Sequence, residues 1–187
     1  MGLDIFIKTD NQDSTFEADY CAYANTYGLS RTFCNFMGRK YAISGESELD
    51  QIGRITSIDI SPIYQMEDHP SDEALEFFMG TAEGEEERQR ILDETRLKRE
   101  HLKGNIDNVL ATINGLIEKL SMIETLSQML NDSGWDTLNY KTYFTDFNID
   151  KGEGYIGNNF GQDLRNFKRL LEYAKERGAA TVYFDYG

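Results

Sequence analysis

The stretch Gly161–Gly178, GQDLRNFKRLLEYAKERG, and the residues after it at 180–186, ATVYFDY, carry the plainest structural signal in the chain. Leu164, Phe167, Leu170, Leu171 and Ala174 recur at helical spacing and place one apolar face on a helix over 162–177. Asp163 falls in its first turn, Lys175 and Arg177 in its last, and Gly178 follows as a stop. ATVYFDY is rich in strand formers and reads as a closing strand. A one-sided helix needs a surface to cover, and a lone strand needs a partner. Both requirements point back to the start of the chain.

There GLDIFIK, residues 2–8, alternates Leu3, Ile5 and Ile7 with Asp4, Phe6 and Lys8, the pattern of a short strand with one apolar face. The opening MGLDIFI resembles the MGLD opening of small bacterial and phage proteins, and the closing VYFDYG is similar in character. The resemblance covers the two ends only. It implies a bacterial or phage origin and the pairing of both ends in one sheet, and it brings no activity with it.

Two more strands are expected. Tyr140–Phe147 is rich in strand formers and meets 154–159 across the turn DKGE, giving a C-terminal β-hairpin over 140–159. RITSIDISPI, residues 54–63, reads as an extended segment ending near Pro62. Residues 16–27 fit both periods, with the helical one (Phe16, Tyr20, Tyr23, Tyr27) preferred. Ser30 then caps a short helix carrying Phe33, Phe36 and Met37.

The middle is helical. Glu85, Glu86 and Glu87 open a helix whose later residues include Arg96, Lys98 and Arg99, with Glu86–Arg90 and Glu94–Lys98 as supporting pairs four apart. Leu102, Ile106, Val109, Ile113, Leu116, Leu120, Ile123, Ser127 and Leu130 form a stripe in steps of three and four. Leu110, Ile117, Leu126 and Met129 widen it beyond a two-stranded seam. The stripe is therefore expected to pack inside its own domain as a monomer, with a homodimer through 102–130 as the other solution. KGN at 103–105 separates two helices, since Gly inside a helix costs about 1 kcal/mol. The expected fold is α+β, one domain over 1–187. It has a small mixed sheet holding both termini and the hairpin, a C-terminal helix, and a long helical pair at about 72–131 that packs beside the sheet or protrudes.

Charge narrows the function. Thirty-three Asp and Glu against 19 Lys and Arg give a net −14. That surface repels phosphate backbones and anionic lipid, which argues against direct nucleic-acid or membrane binding and for a protein partner with a basic surface. MGLDIFIKTD has neither the basic region nor the apolar run of a secretion signal, and no window reaches the roughly 20 apolar residues of a membrane span, so a cytoplasmic location is expected. Cys21 and Cys34 are too few for a disulfide framework and lack C-x-x-C spacing.

Two short motifs overlap at Asp146–Gly157. Gly152, Gly154 and Gly157 match G-x-G-x-x-G, but Asn158–Gly161 separate them from the helix start and no second strand with an acidic end follows. Asp146, Asn148 and Asp150 alternate as hard oxygen ligands do in a calcium loop. Yet Lys151 stands where that loop needs glycine, and Gly157 where it needs a bidentate Glu. Asp146, Asn148 and Asp150 are thus candidate ligands for at most a weakly held divalent cation, and no cofactor is expected. The second acidic cluster, Glu67, Asp68, His69, Asp72 and Glu73, reads first as a loop before a helix capped by Ser71 or Asp72. No nucleophile elbow or protease-type cysteine is present. The leading expectation is a non-catalytic interaction module. The alternative is a carboxylate- or metal-dependent enzyme with its site at Glu67–Glu73 or Asp146–Asp150.

Overall fold

A computed structural model describes residues 5–11, 14–38, 45–131, 140–154 and 159–186, with only the backbone described at 14–16, 38 and 140. Within these, the order is β1 (Ile5–Thr9), α1 (Ser14–Thr26), α2 (Arg31–Gly38), α3 (Glu48–Thr56), α4 (Ser61–Gln65), a 3-10 turn at Met66–Asp68, α5 (Asp72–Thr81), α6 (Glu85–Leu102), α7 (Ile106–Leu120), α8 (Leu126–Met129), α9 (Tyr140–Tyr143), α10 (Phe160–Glu176) and β2 (Val182–Tyr186). The fold is α+β, as the alternating ends and the amphipathic helices require.

The ends of the chain pair. β1 and β2 are antiparallel, in register from Ile5 opposite Tyr186 to Thr9 opposite Val182. Ile5, Ile7, Val182 and Phe184 are buried on one face, while Phe6, Lys8, Tyr183 and Asp185 occupy the other. The Asp10 N–H donates to the Thr181 carbonyl at 3.1 Å, which sets the phase of the ladder. Lys8 and Phe6 therefore bond across to β2, and the N–H and C=O of Val182 face outward. Both outward groups are taken by one side chain: Asn105 Nδ2 donates to the Val182 carbonyl and Asn105 Oδ1 accepts its N–H, each at 2.8 Å.

α10 lies under this sheet. Phe160, Leu164, Phe167, Leu170, Leu171 and Ala174 are all buried, and α10 packs along α7. α7 contributes the middle of the expected stripe: Ile106, Val109, Ile113, Leu116 and Leu120 are buried, as are Leu102 before it and Leu130 after it. The stripe is covered within the chain. KGN does break the helices, with Gly104 at φ 76° between α6 and α7.

Three sequence expectations give way. The sheet among the described residues has two antiparallel strands and is not mixed. Residues 140–143 form a turn of helix, not the first arm of a hairpin; residues 155–158 of the second arm lie outside the described residues. The reason is aromatic. Tyr143, Phe144 and Phe147 are all buried against Phe36 and Phe160, with centroids 5.0–6.3 Å apart. A strand would send the adjacent Tyr143 and Phe144 to opposite faces. Gly161 allows the approach, since a Cβ there would stand 2.6 Å from the Phe147 carbonyl oxygen. The third expectation was strand at 54–63. Arg54–Thr56 instead end α3, which begins with a capping box between Ser47 and Asp50 and buries Leu49, Ile52 and Thr56 at helical spacing. Smaller differences follow the same logic: Arg90 pairs with Glu87 and Glu94, rather than with Glu86.

Asp163 is the buried knot of the molecule. It lies in the first turn of α10 and is almost fully buried. Its carboxylate accepts the Ser30 N–H at 2.8 Å, the Ser30 hydroxyl at 2.6 Å and the Tyr143 hydroxyl at 2.7 Å. Ser30 also caps α2 through the Phe33 N–H, at 3.2 Å. Burial lifts the Asp163 carboxyl from 3.8 to about 7, with the Ser30 and Tyr143 bonds limiting the rise. The folded state thus holds this proton more tightly than the unfolded chain. Stability from Asp163 is complete below about pH 4 and is lost as pH rises through about 7. Urea unfolding of Asp163→Asn should show a flatter stability profile than wild type across that window; parallel profiles would show that Asp163 does not titrate there.

Candidate functional site

Each acidic cluster has a definite place. In the first, Ser71 caps α5 by accepting the Ala74 N–H at 3.1 Å, so Asp72 and Glu73 sit in a first turn as expected. The 3-10 turn at Met66–Asp68 packs on β2 and brings this loop to the outer face of the sheet. His69 stacks flat on Tyr183, centroids 3.6 Å apart at 12°. Arg99, from the last turn of α6, donates to Asp72 at 2.6 Å and to the Pro70 carbonyl at 3.2 Å. Tyr186 donates to Glu67 at 2.7 Å.

The result is an open groove of about 730 Å³ on the outer sheet face, bounded by Lys8, Cys21, His69, Asp72, Arg99 and Tyr183 among others. His69 Nδ1 and Arg99 Nε are buried there with no hydrogen-bond partner among the described residues. Burial holds the His69 imidazole below its ordinary value, and the Arg99 guanidinium adds to this, while Asp72 and Asp185 pull the other way. The lowered value favours the uncharged ring.

In the second cluster Asn148 and Asp150 are held by different partners. Asp146 sits at φ 51°, and its carbonyl accepts the Ile149 N–H in a turn. Asn148 donates to the Ser121 carbonyl at 3.1 Å, beyond the end of α7. Asp150 accepts the Gly152 N–H at 2.9 Å and an Arg169 guanidinium N–H at 2.8 Å, which together hold its carboxyl below the ordinary range. Gly152 and Gly154 take positive φ, 82° and 72°, as turn glycines do; Gly157 lies outside the described residues. Among the described residues no three His, Cys, Asp or Glu side chains gather as a metal-holding group.

The third feature is a surface. α5 buries none of its residues, and Leu102 is the one buried residue of α6. Phe77 and Leu97 are each 65% exposed, Phe78 is 53% exposed, and the two Phe rings meet edge-on at 5.7 Å. Between the helices runs a cleft of about 330 Å³ with Phe78, Ala82 and Ile91 set among Glu87, Glu94 and Lys98. Residues 72–102 hold ten acidic and five basic side chains. Glu85 meets Arg88 and Asp93 meets Arg96, so the basic residues are largely spent within the hairpin. The sequence reading divided 72–131 at Lys103–Asn105; the further break after Thr81 that folds α5 against α6, and the exposed Phe77 and Phe78, were not read from it.

Two measurements follow. The His69 ring should titrate by NMR below 6.5, its midpoint rising in Arg99→Gln and falling in Asp72→Asn; equal midpoints in all three would disconnect the groove's charges from the ring. Calorimetry with calcium should give no micromolar binding at Asp146–Asp150, because Asp150 already faces Arg169.

No helix among the described residues is long and apolar enough to cross a membrane. Comparison of the chain with protein-family models, with curated proteins and with solved structures found no match.

Proposed function

We propose that the chain is a non-catalytic, cytoplasmic interaction module whose α5–α6 hairpin docks onto a protein partner with a basic surface. The observation that carries this reading is the exposure of Phe77, Phe78 and Leu97 on a helical hairpin that gives the core only Leu102. Apolar side chains clustered on one exposed element mark interaction sites. The acidic surplus of the same hairpin supplies steering toward a basic partner, and its aromatic pair supplies anchors. The covered stripe at 102–130 is consistent with a monomeric module.

A second reading, a carboxylate- or metal-dependent enzyme at Glu67–Glu73, draws support from one observation. The groove beside His69 holds buried polar atoms without partners among the described residues, a combination found where ligands bind.

Affinity capture from the native host with wild type, with Phe77→Ser plus Phe78→Ser, and with Glu85→Lys plus Glu86→Lys tests the first reading. The exposed substitutions should alter stability by no more than about 0.5 kcal/mol, yet remove the same captured protein in both variants. Retention of that protein by both, or unfolding of the Phe variant, would sink the arm as a docking element.

A further inference from the structure

We propose that the groove on the outer sheet face, at the base of the α5–α6 hairpin, takes an arginine side chain of the protein partner. This rests on the docking reading above and adds to it a second contact, chemically unlike the exposed Phe77 and Phe78. The fold sets the position. Asp72 opens α5 and Arg99 lies in the last turn of α6, and their ion pair closes the base of the hairpin. Both also wall the groove, together with Lys8, Tyr183 and Asp185 from the sheet. A partner seated on the hairpin therefore borders the groove as well. Its volume, about 730 Å³, is that of a ligand site.

The walls suit a flat cation. His69 lies on Tyr183 at 3.6 Å, and at the same groove Phe6 and Tyr186 are 52% and 41% exposed. Aromatic faces attract cations, and a guanidinium, planar and weakly hydrated, stacks on them. The chain makes this contact elsewhere, with Arg177 3.4 Å over Tyr173 and Arg169 5.3 Å over Tyr27. Charge agrees. Asp72, Glu73 and Asp185 line the groove against Lys8 and Arg99, and Arg99 is already paired with Asp72 at 2.6 Å. Glu73 and Asp185 then outweigh Lys8. Burial dominates at both stacked rings, but Asp72 and Asp185 pull each toward its protonated form and Arg99 opposes them, so the field of the carboxylates reaches the stack. Three buried atoms beside the groove have no partner: Glu67 Oε2, whose other oxygen holds Tyr186, His69 Nδ1 and Arg99 Nε. The first is an acceptor and the second belongs to a ring whose uncharged form offers one. A guanidinium, all donors, matches both. A second copy of the chain is the poorer source of that arginine, because two bodies of net charge −14 repel.

N-acetyl-arginine amide is the probe, with its citrulline counterpart as an uncharged control of similar shape. Titrated into the wild-type chain, the arginine compound should shift the His69 and Tyr183 ring resonances saturably at millimolar concentration, the affinity open to so small a ligand. The citrulline compound should not. Asp185→Asn should weaken binding about threefold or more, and Lys8→Glu should strengthen it by a similar factor. No saturable shift, equal shifts from citrulline, or opposite signs in the two variants would overturn the assignment. In capture from the native host, Asp185→Asn should lose the protein that Phe77→Ser plus Phe78→Ser loses. Unchanged capture by Asp185→Asn would overturn the partner's arginine as occupant while the hairpin reading stands. Loss by Asp185→Asn alone would sink the hairpin reading and keep the groove. A dimer dissolved by Asp185→Asn would hand the groove to a second copy and overturn the proposal. The ring shifts use wild type and hold even if a variant fails to fold.

Discussion

The carboxylate of Asp163 gathers segments that are distant along the chain. Ser30, at the start of α2, and Tyr143, in α9, both donate to it, their hydroxyls to the same oxygen, and α10 carries it into the interior. A buried carboxylate is costly unless its oxygens are fully engaged. Its position therefore dictates where α2 and α9 can sit, and with them the aromatic cluster of Phe36, Phe144, Phe147 and Phe160. The polar residues around it extend the same constraint. Asn159 caps α10 and holds the Thr145 carbonyl, Gln162 accepts the Lys151 N–H, and Asn166 reaches the Gly28 carbonyl. The first two turns of α10 thus act as a polar spine to which the loops on either side are fastened.

At its other end α10 supports the two-stranded sheet, which on its own would be marginal. Phe167 meets Phe184 from below, and Asn105 closes the β2 edge from the α6–α7 turn. The sheet is thereby held between α10, α7 and the loop carrying His69. Its outer face carries the His69 groove. The groove lies where the loop carrying His69 meets the outward side chains Lys8 and Tyr183.

The α5–α6 hairpin stands outside this economy. It is anchored at its base by Arg99 to Asp72 and Pro70 and by the burial of Leu102, while its length carries exposed Phe77, Phe78 and Leu97. An element with so little intramolecular burial is maintained by local helix chemistry, in which the acidic first turn of α6 and its short-range ion pairs each add only a few tenths of a kcal/mol. That division between an anchored core and an unburied arm is what the interaction reading rests on.

How much of this was legible follows from what each signal depends on. Period and capping are local, so α10 with its Leu164–Ala174 face, the α7 stripe, the break at Gly104, the Ser30 and Ser71 caps and both terminal strands could all be read from residues a few positions apart. Residues 140–147 could not, because Tyr and Phe favour strands in general. Only the demand that Tyr143, Phe144 and Phe147 reach one cluster turned them into a helical turn. Asp150 of the acidic motif pairs with Arg169, a partner nineteen residues away whose approach no linear pattern records. Asp163 looked like an ordinary first-turn acid, yet it is almost fully buried. That burial is set by which distant segments arrive beside it. Sequence by itself determined the elements and their apolar faces, since those depend on neighbours along the chain; tertiary structure alone decided which polar groups were paired, buried or left open, since pairing depends on neighbours in space.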